Sequence, residues 1–236
     1  MQDESSGLSR SVEDYLKAIY CLSAASESVS TTAIAEALEV QPASVTGMVK
    51  RMAEAALVEH IPYRGVQLTE AGAREALRVL RRHRILEIYL TERLGYPWEE
   101  VHREAERLEH AASEALIQRM DDALGNPTHD PHGAPIPTAD GKIEATDSMT
   151  LDQLGEGVEA QVRAVRDDDS GDLRTIESTG LLPGTRVRIL RKSRAGGTLE
   201  ARVGEGEGHP ARIPLEVAGR VYVTPLPEPP LSTNTE

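Results

Sequence analysis

Imidazoles and carboxylates concentrate at helical spacing between residues 74 and 123. His83 and Glu87 stand at i, i+4 on one face of a helix read over 74 to 94. His102, Glu106, Glu109 and His110 fall within roughly 100° of the circumference of a second helix, read over 98 to 123. Asp14, on an earlier helix, can reach the same place. Nitrogen and oxygen donors on neighbouring helix faces suit a divalent cation. A solvated charged face is the plainer reading, and it is adopted for Glu99 and Glu104. For the others, two histidine–glutamate sets and the adjacency of Glu109 and His110 exceed what a surface helix needs. A di-iron carboxylate bundle would require Glu-x-x-His on each of two helices. Glu99 and His102 supply one match, and there is no second.

A second kind of chemistry is written between Ser30 and Thr69. Ser30, Thr31 and Thr32 offer an N-cap, and Ala33 to Leu38 forms a short helix. After Glu39-Val40-Gln41, Pro42 suits the first turn of the next helix, which runs to Met52. Val45, Val49 and Met52 share one face. Gln41, Ala43, Ser44, Thr46, Gly47 and Lys50 are left outward, small and polar at the start and cationic at the end. Such a face enters a major groove closely. Leu57 to Ile61 and Val66 to Thr69 read as two strands around a turn carrying Arg64, a β-wing. Together they make a winged helix-turn-helix. The set read as facing DNA is Thr32, Gln41, Ala43, Ser44, Thr46, Lys50, Arg51 and Arg64. An ordinary helix pair with a hairpin is the competing reading, and the wing in the right place favours DNA.

These residues must be positioned by a chain of 236 residues, long enough for one large domain or two small ones. No run of eighteen apolar residues spans a bilayer, no secretory signal opens the chain, and a lone cysteine cannot build a disulfide framework. A cytoplasmic protein is expected. The net charge of −13 excludes a generally basic nucleic-acid coat but not segregated charge. Between Gln41 and Val66, Lys50, Arg51 and Arg64 stand against Glu54 and Glu59, a mildly basic stretch in an acidic chain. Residues 9 to 124 read as almost all helix. Residues 125 to 150, dense in Pro and Gly, read as a connector. From 158 to 224 the period changes to that of strands, as in Val187-Arg188-Ile189 and Val221-Tyr222-Val223, giving a small antiparallel β domain. The tail from Pro225 holds four prolines and reads as disordered. Of the remaining candidates, His132 is assigned a structural role and His129 solvent. Trp98 anchors a helix start, Cys21 is a small buried hydrophobe, and Arg81, Arg82 and Arg84 lie on a solvated helix face.

In this order the motifs resemble the diphtheria toxin repressor family of metal-dependent transcriptional regulators. The resemblance begins at Glu13-Asp14-Tyr15-Leu16-Lys17-Ala18-Ile19-Tyr20. It runs through the helix-turn-helix, His83-Arg84-Ile85-Leu86-Glu87 and Val101-His102 to Glu109-His110. It includes Pro131-His132-Gly133-Ala134-Pro135-Ile136-Pro137 and ends in a β domain. It implies a winged helix-turn-helix over 1–73, a helical dimerisation and metal-binding domain over 74–144, an SH3-like barrel over 150–226 and a tail over 227–236. It also implies a homodimer that binds an inverted-repeat DNA operator when loaded with a divalent cation. One metal site resembles His83, Glu87 and His102, completed from Asp167 to Ser170, with Asp167 taken as the ligand. The activating site resembles Asp14, Glu106, Glu109 and His110. Iron-sensing members place a methionine where Asp14 stands and a cysteine where Glu106 stands. Manganese-sensing members place acids at both, and a glutamate where this chain has Lys17, a departure that tells against a closely bridged two-metal cluster. The expectation is a repressor sensing Mn(II), with Fe(II) second, that controls metal-uptake genes. A di-metal enzyme would need a substrate pocket, and the sequence offers no nucleophile motif or phosphate-binding loop. A metal-independent regulator would bind DNA in the presence of a chelator.

Overall fold

The computed structural model describes residues 7–23, 28–61, 64–145, 149–193 and 195–227. They divide into two compact units, each gathered from three stretches of chain. Unit 1 takes Met1–Tyr89, Glu104–Pro127 and Ile136–Glu144; unit 2 takes Leu90–Arg103, Thr128–Pro135 and Ala145–Glu236. The expected disordered tail lies almost wholly outside the described residues, as do Pro62 and Tyr63 of the wing.

Unit 1 opens with α1 (Arg10–Ser23), which turns Tyr15, Leu16 and Ile19 inward. Cys21 falls on the opposite side and is exposed, not buried as expected, because two residues beyond Ile19 is about 200° around a helix. α2 (Thr31–Ala37) is capped by Ser30, whose Oγ accepts from the Ala33 N–H at 3.0 Å. α3 (Pro42–Glu54) buries Val45, Met48, Val49 and Met52. These side chains, with Leu16, Ile19, Ile34 and Val66, form the core of the unit. β1 (Val58–Ile61) and β2 (Gly65–Leu68) pair antiparallel, Ile61 opposite Gly65. Val29 joins β2 through an isolated antiparallel bridge, its N–H and carbonyl each bonded to Val66 at 2.8 Å. Gly65 sits at φ +116°, and a Cβ there would overlap the Val29 carbonyl, so the position needs glycine.

α4 (Glu70–Leu94) begins before the expected residue 74, because the Thr69 hydroxyl accepts from the Gly72 N–H at 3.0 Å and starts the helix. The single helix expected over 98 to 123 is two. α5 (Val101–Leu108) stops in a turn at Glu109–Ala111, and α6 (Glu114–Leu124) restarts beyond it. Ser113 is the reason: its Oγ accepts from the Leu116 N–H at 3.3 Å and caps the new helix. The solvated arginine face also fails. Arg82 is 7% exposed and pairs with Glu13 at 2.7 Å, while Arg81 pairs with Asp121 at 2.6 Å and donates to the Pro137 carbonyl at 2.8 Å. Arg84 is half-buried.

Unit 2 is built on a six-stranded antiparallel sheet of order β3-β8-β4-β5-β6-β7. Its strands are β3 (Met149–Thr150), β4 (Glu159–Val165), β5 (Arg186–Ser193), β6 (Thr198–Val203), β7 (His209–Pro214) and β8 (Val221–Pro225). It is the small SH3-like β domain that was expected. Among the described residues, two α-helices interrupt the strands, α7 (Ser170–Ser178) and the single turn α8 (Leu215–Ala218), besides a 3-10 turn at Leu151–Gln153. The strand period alone does not reveal α7. Its cap is Asp169, whose carboxylate accepts from the N–H groups of Asp172 and Gly171, and these bonds hold the carboxyl below its ordinary range. Val162, Leu173, Ile176, Ile189, Val203, Ile213 and Val223 fill the core, and Trp98 packs against it. Between Thr128 and Pro135 the connector is ordered: Asp130 Oδ1 accepts from the N–H of His132 and of Ala134, both at 2.9 Å. No helix among the described residues is long and apolar enough to cross a membrane.

Candidate metal centre and DNA-reading face

Two elements of unit 1 bring three donors to one point: Asp14 from α1, and Glu109 and His110 from the turn after α5. One ligand atom from each lies within 4.8 Å of the others. His110 Nε2 is 2.8 Å from Asp14 Oδ1 and 3.3 Å from Glu109 Oε1. That nitrogen is buried and makes no hydrogen bond. Its other nitrogen, Nδ1, is 2.7 Å from Glu13 Oε2. An unbonded imidazole nitrogen converging with two carboxylate oxygens is a hard, oxygen-rich donor set that fits a divalent cation. Glu106 is not among the three that converge. It is half-exposed and faces Lys17 Nζ at 3.6 Å.

Lys17 is the neighbour that shapes the site. Its Nζ donates to Glu109 Oε1 at 2.6 Å, and both side chains are largely buried. Burial works against the ammonium. The charge of Glu109, its hydrogen bond and then Glu106 outweigh it and hold Lys17 above the ordinary lysine value. The other oxygen of Glu109 meets His83 Nδ1 at 2.6 Å, and His83 Nε2 meets Glu87 Oε1 at 3.0 Å. Burial pushes His83 down, but the charge of Glu87 and hydrogen bonds to Glu109 and Glu87 carry it up to about 9. Burial likewise raises Glu109, and the His83 and Lys17 contacts more than reverse that, leaving it low. In this state both nitrogens of His83 are engaged, and its proton must leave before either can ligate a metal.

The other residues implied by the resemblance lie in unit 2. His102 Nδ1 is 3.2 Å from Asp167 Oδ2, and His132 Nδ1 is 3.8 Å from the same oxygen. The neighbours of Asp167 are used elsewhere. Asp168 pairs with Arg166 and Arg220, Asp169 caps α7, and Ser170 is the first residue of that helix. Among Asp167 to Ser170, therefore, Asp167 is the one set against His102. His132 is fully buried: its Nε2 meets the Trp98 carbonyl at 3.0 Å, and its ring stands 4.9 Å from the indole, whose N–H donates to the Pro131 carbonyl. His129 is half-buried and 2.9 Å from the Thr128 hydroxyl.

The reading face is laid out as its period requires. Thr32, Gln41, Ala43, Ser44, Thr46, Lys50, Arg51 and Arg64 are all exposed, while Val45, Val49 and Met52 are buried beneath α3. Thr46 spends its hydroxyl on the Pro42 carbonyl at 3.3 Å, and Arg51 leans on the Met48 sulfur at 3.5 Å.

Glu13 escaped the reading of the sequence. It is 5% exposed, accepts from Arg82 and faces His110. A signal was available: Glu13 lies three residues before Leu16, on the apolar stripe of α1, where a carboxylate must find a partner.

Comparisons with known proteins follow the same division. Residues 7–66 match the model of the iron dependent repressor N-terminal DNA binding domain. Residues 69–138 match the iron dependent repressor metal binding and dimerisation domain, and 149–225 match the FeoA domain. The iron-dependent repressor IdeR of Mycobacterium tuberculosis is 35% identical over 189 residues, 75% of this chain and 82% of that one. A solved manganese-dependent transcriptional repressor in complex with manganese is 36% identical at a TM-score of 0.82, covering 91% of this chain and all of its own. IdeR of T. acidophilum is 31% identical at a TM-score of 0.74, covering 90% of this chain and 97% of its own. These relatives are regulators, not the di-metal enzymes weighed against them. The chain belongs to the iron-dependent, or diphtheria toxin, repressor family of metal-dependent, DNA-binding transcriptional repressors.

Proposed function

We propose that the protein is a homodimeric repressor that senses manganese(II), binds an inverted-repeat operator and silences metal-uptake genes when the ion is plentiful. The observation that carries the metal choice is the donor set: two carboxylates and one imidazole nitrogen, with no thiolate or thioether. Oxygen donors suit manganese, whereas sulfur favours softer ions. Iron(II) is the second reading, supported by the iron-dependent repressors among the relatives. Bound at Asp14, Glu109 and His110, the cation would supply charge and a fixed geometry, and no bond-making chemistry.

The chain's own residues supply the linkage. Asp14 lies on α1, which packs against α2 and β2 of the reading head. Glu109 and His110 lie in the turn between α5 and α6. Holding these residues to one centre fixes α1, and with it the recognition helix presenting Gln41, Ser44, Thr46 and Lys50. DNA binding and metal binding then strengthen each other by the same factor. Base edges would be read by Gln41, Ala43, Ser44 and Thr46, and phosphates by Thr32, Lys50, Arg51 and Arg64. A second, supporting site is proposed for His83, Glu87, His102 and Asp167 on the strength of the family resemblance. The three-part division at 1–73, 74–144 and 150–226 belongs to the same reading.

The test is selection of duplexes from a random-sequence pool with manganese present. Affinity for the selected duplex is then measured with manganese, with iron(II) under anaerobic conditions and with chelator. Tight binding with manganese, at least equal binding to that with iron(II), and loss with chelator are expected. Equal affinity in chelator would overturn the metal dependence, and activation by iron(II) alone would overturn the metal choice.

A further inference from the structure

We propose that Glu13 is the positioning residue of the metal site: it accepts the Nδ1–H of His110 and thereby commits Nε2 to the cation. The proposal rests on the reading of Asp14, Glu109 and His110 as metal ligands. Its carrier is a chain of contacts inside unit 1. Arg82 Nη2 donates to Glu13 Oε1 at 2.7 Å, and Glu13 Oε2 lies 2.7 Å from His110 Nδ1. Both Glu13 and Arg82 are buried, and Arg82 also reaches Glu114 at 3.4 Å.

The Glu13 carboxylate already accepts from the guanidinium of Arg82 and presents its second oxygen, an acceptor, to His110 Nδ1. The His110 nitrogen facing it must therefore be the one that carries hydrogen. In the neutral ring this leaves the lone pair on Nε2, the buried, unbonded atom beside Asp14 and Glu109. A histidine free to choose would divide its hydrogen between both nitrogens and turn its ring. Glu13 removes that choice, and Arg82 on α4 removes the freedom of Glu13. Carboxylates that hold a ligand imidazole in this way sharpen both its orientation and its basicity. Glu13 and Asp14 are adjacent on α1, so one helix supplies both a ligand and the group that aims another.

Nitrogen-15 NMR of the histidine rings, with zinc(II) as a diamagnetic probe, reads the arrangement directly in the full-length wild-type chain. The expected spectrum shows His110 with hydrogen on Nδ1 and metal on Nε2. Metal on Nδ1 would overturn the proposal. No metal shift at His110 at all would instead overturn the reading of the site. Glu13→Gln can offer the ring a donor as readily as an acceptor. It is expected to mix the two forms and weaken manganese binding, measured by calorimetry, about ten- to hundredfold. Glu13→Asp is expected to restore part of that loss. An unchanged ring spectrum and unchanged affinity in Glu13→Gln would overturn the role of Glu13 while leaving the ligand assignment standing. If the substituted chain does not fold, the wild-type spectrum still decides.

Discussion

The Lys17 ammonium donates a hydrogen bond to a buried carboxylate that also belongs to the candidate metal centre. Glu109 is fully buried and leans on Lys17 through one oxygen and on His83 through the other. Removing one partner of a buried ion pair costs about 3–5 kcal/mol; the His83 contact survives here, so a smaller loss is expected. Lys17→Met should lower the stability of the metal-free chain by about 2 kcal/mol, read by urea denaturation in chelator. Manganese should recover more stability in this variant than in the wild type; an unchanged denaturation midpoint would show that the pair contributes nothing. Metal ranking belongs to the same scale. Asp14→Met combined with Glu106→Cys should move activation of DNA binding toward iron(II), nickel or cobalt, because sulfur replaces oxygen. Asp14→Met alone should give most of that change, since Glu106 faces Lys17 and does not converge with the other donors. The measurement is DNA affinity against each free metal concentration, and an unchanged ranking would place the response elsewhere.

Two elements carry predictions of their own. Ser113 separates α5 from α6 by capping the latter. Ser113→Ala should cost about 1 kcal/mol, and Ser113→Asp should retain most of the stability; thermal unfolding of the two variants distinguishes a cap from a passive turn residue. In the wing, Arg64→Ala should weaken DNA binding across sequences and lower its salt slope by about one, with manganese binding to free protein unchanged. An unaltered slope would remove Arg64 from the phosphate contacts. The elements differ in how far the sequence announced them. α1, α3 and α4 have apolar stripes at helical period, and the second wing strand opens on Gly65, where a side chain would overlap the Val29 carbonyl. The break after Leu108 was hidden because Glu109, Ala111 and Ala112 are all tolerated in a helix; only Ser113 followed by Glu114 marks it. α7 was hidden by its strand neighbours, although Asp169 before Ser170-Gly171-Asp172 is a start signal. The candidate metal donors were legible as residue types, and the family resemblance grouped Asp14 with Glu109 and His110. An arc of about 100° shared with His102 and Glu106 presumes a helix through Glu109 and His110, and these two residues sit in a turn.

At the scale of the molecule, deleting everything after Gly141 is the informative cut. It removes the sheet on which Trp98 packs, and with it Asp167, while sparing Asp14, Glu109 and His110. The fragment is expected to remain a dimer and to bind DNA with manganese, but with fewer ions per chain by calorimetry. Loss of dimerisation would contradict the assignment of that interface to the helical domain over 74–144. The way each unit is gathered from three stretches also sets a timetable for synthesis. Domains tend to fold as units while the chain emerges, yet unit 1 is not complete until its last stretch, Ile136–Glu144, has left the ribosome. Leu90–Arg103 and Thr128–Pro135 are made before that moment but belong to a core whose strands come later. Trp98 and His132 therefore wait, exposed, for β4 through β8. A newly made chain passes through a stage in which every stretch of unit 1 and only two short stretches of unit 2 have been made.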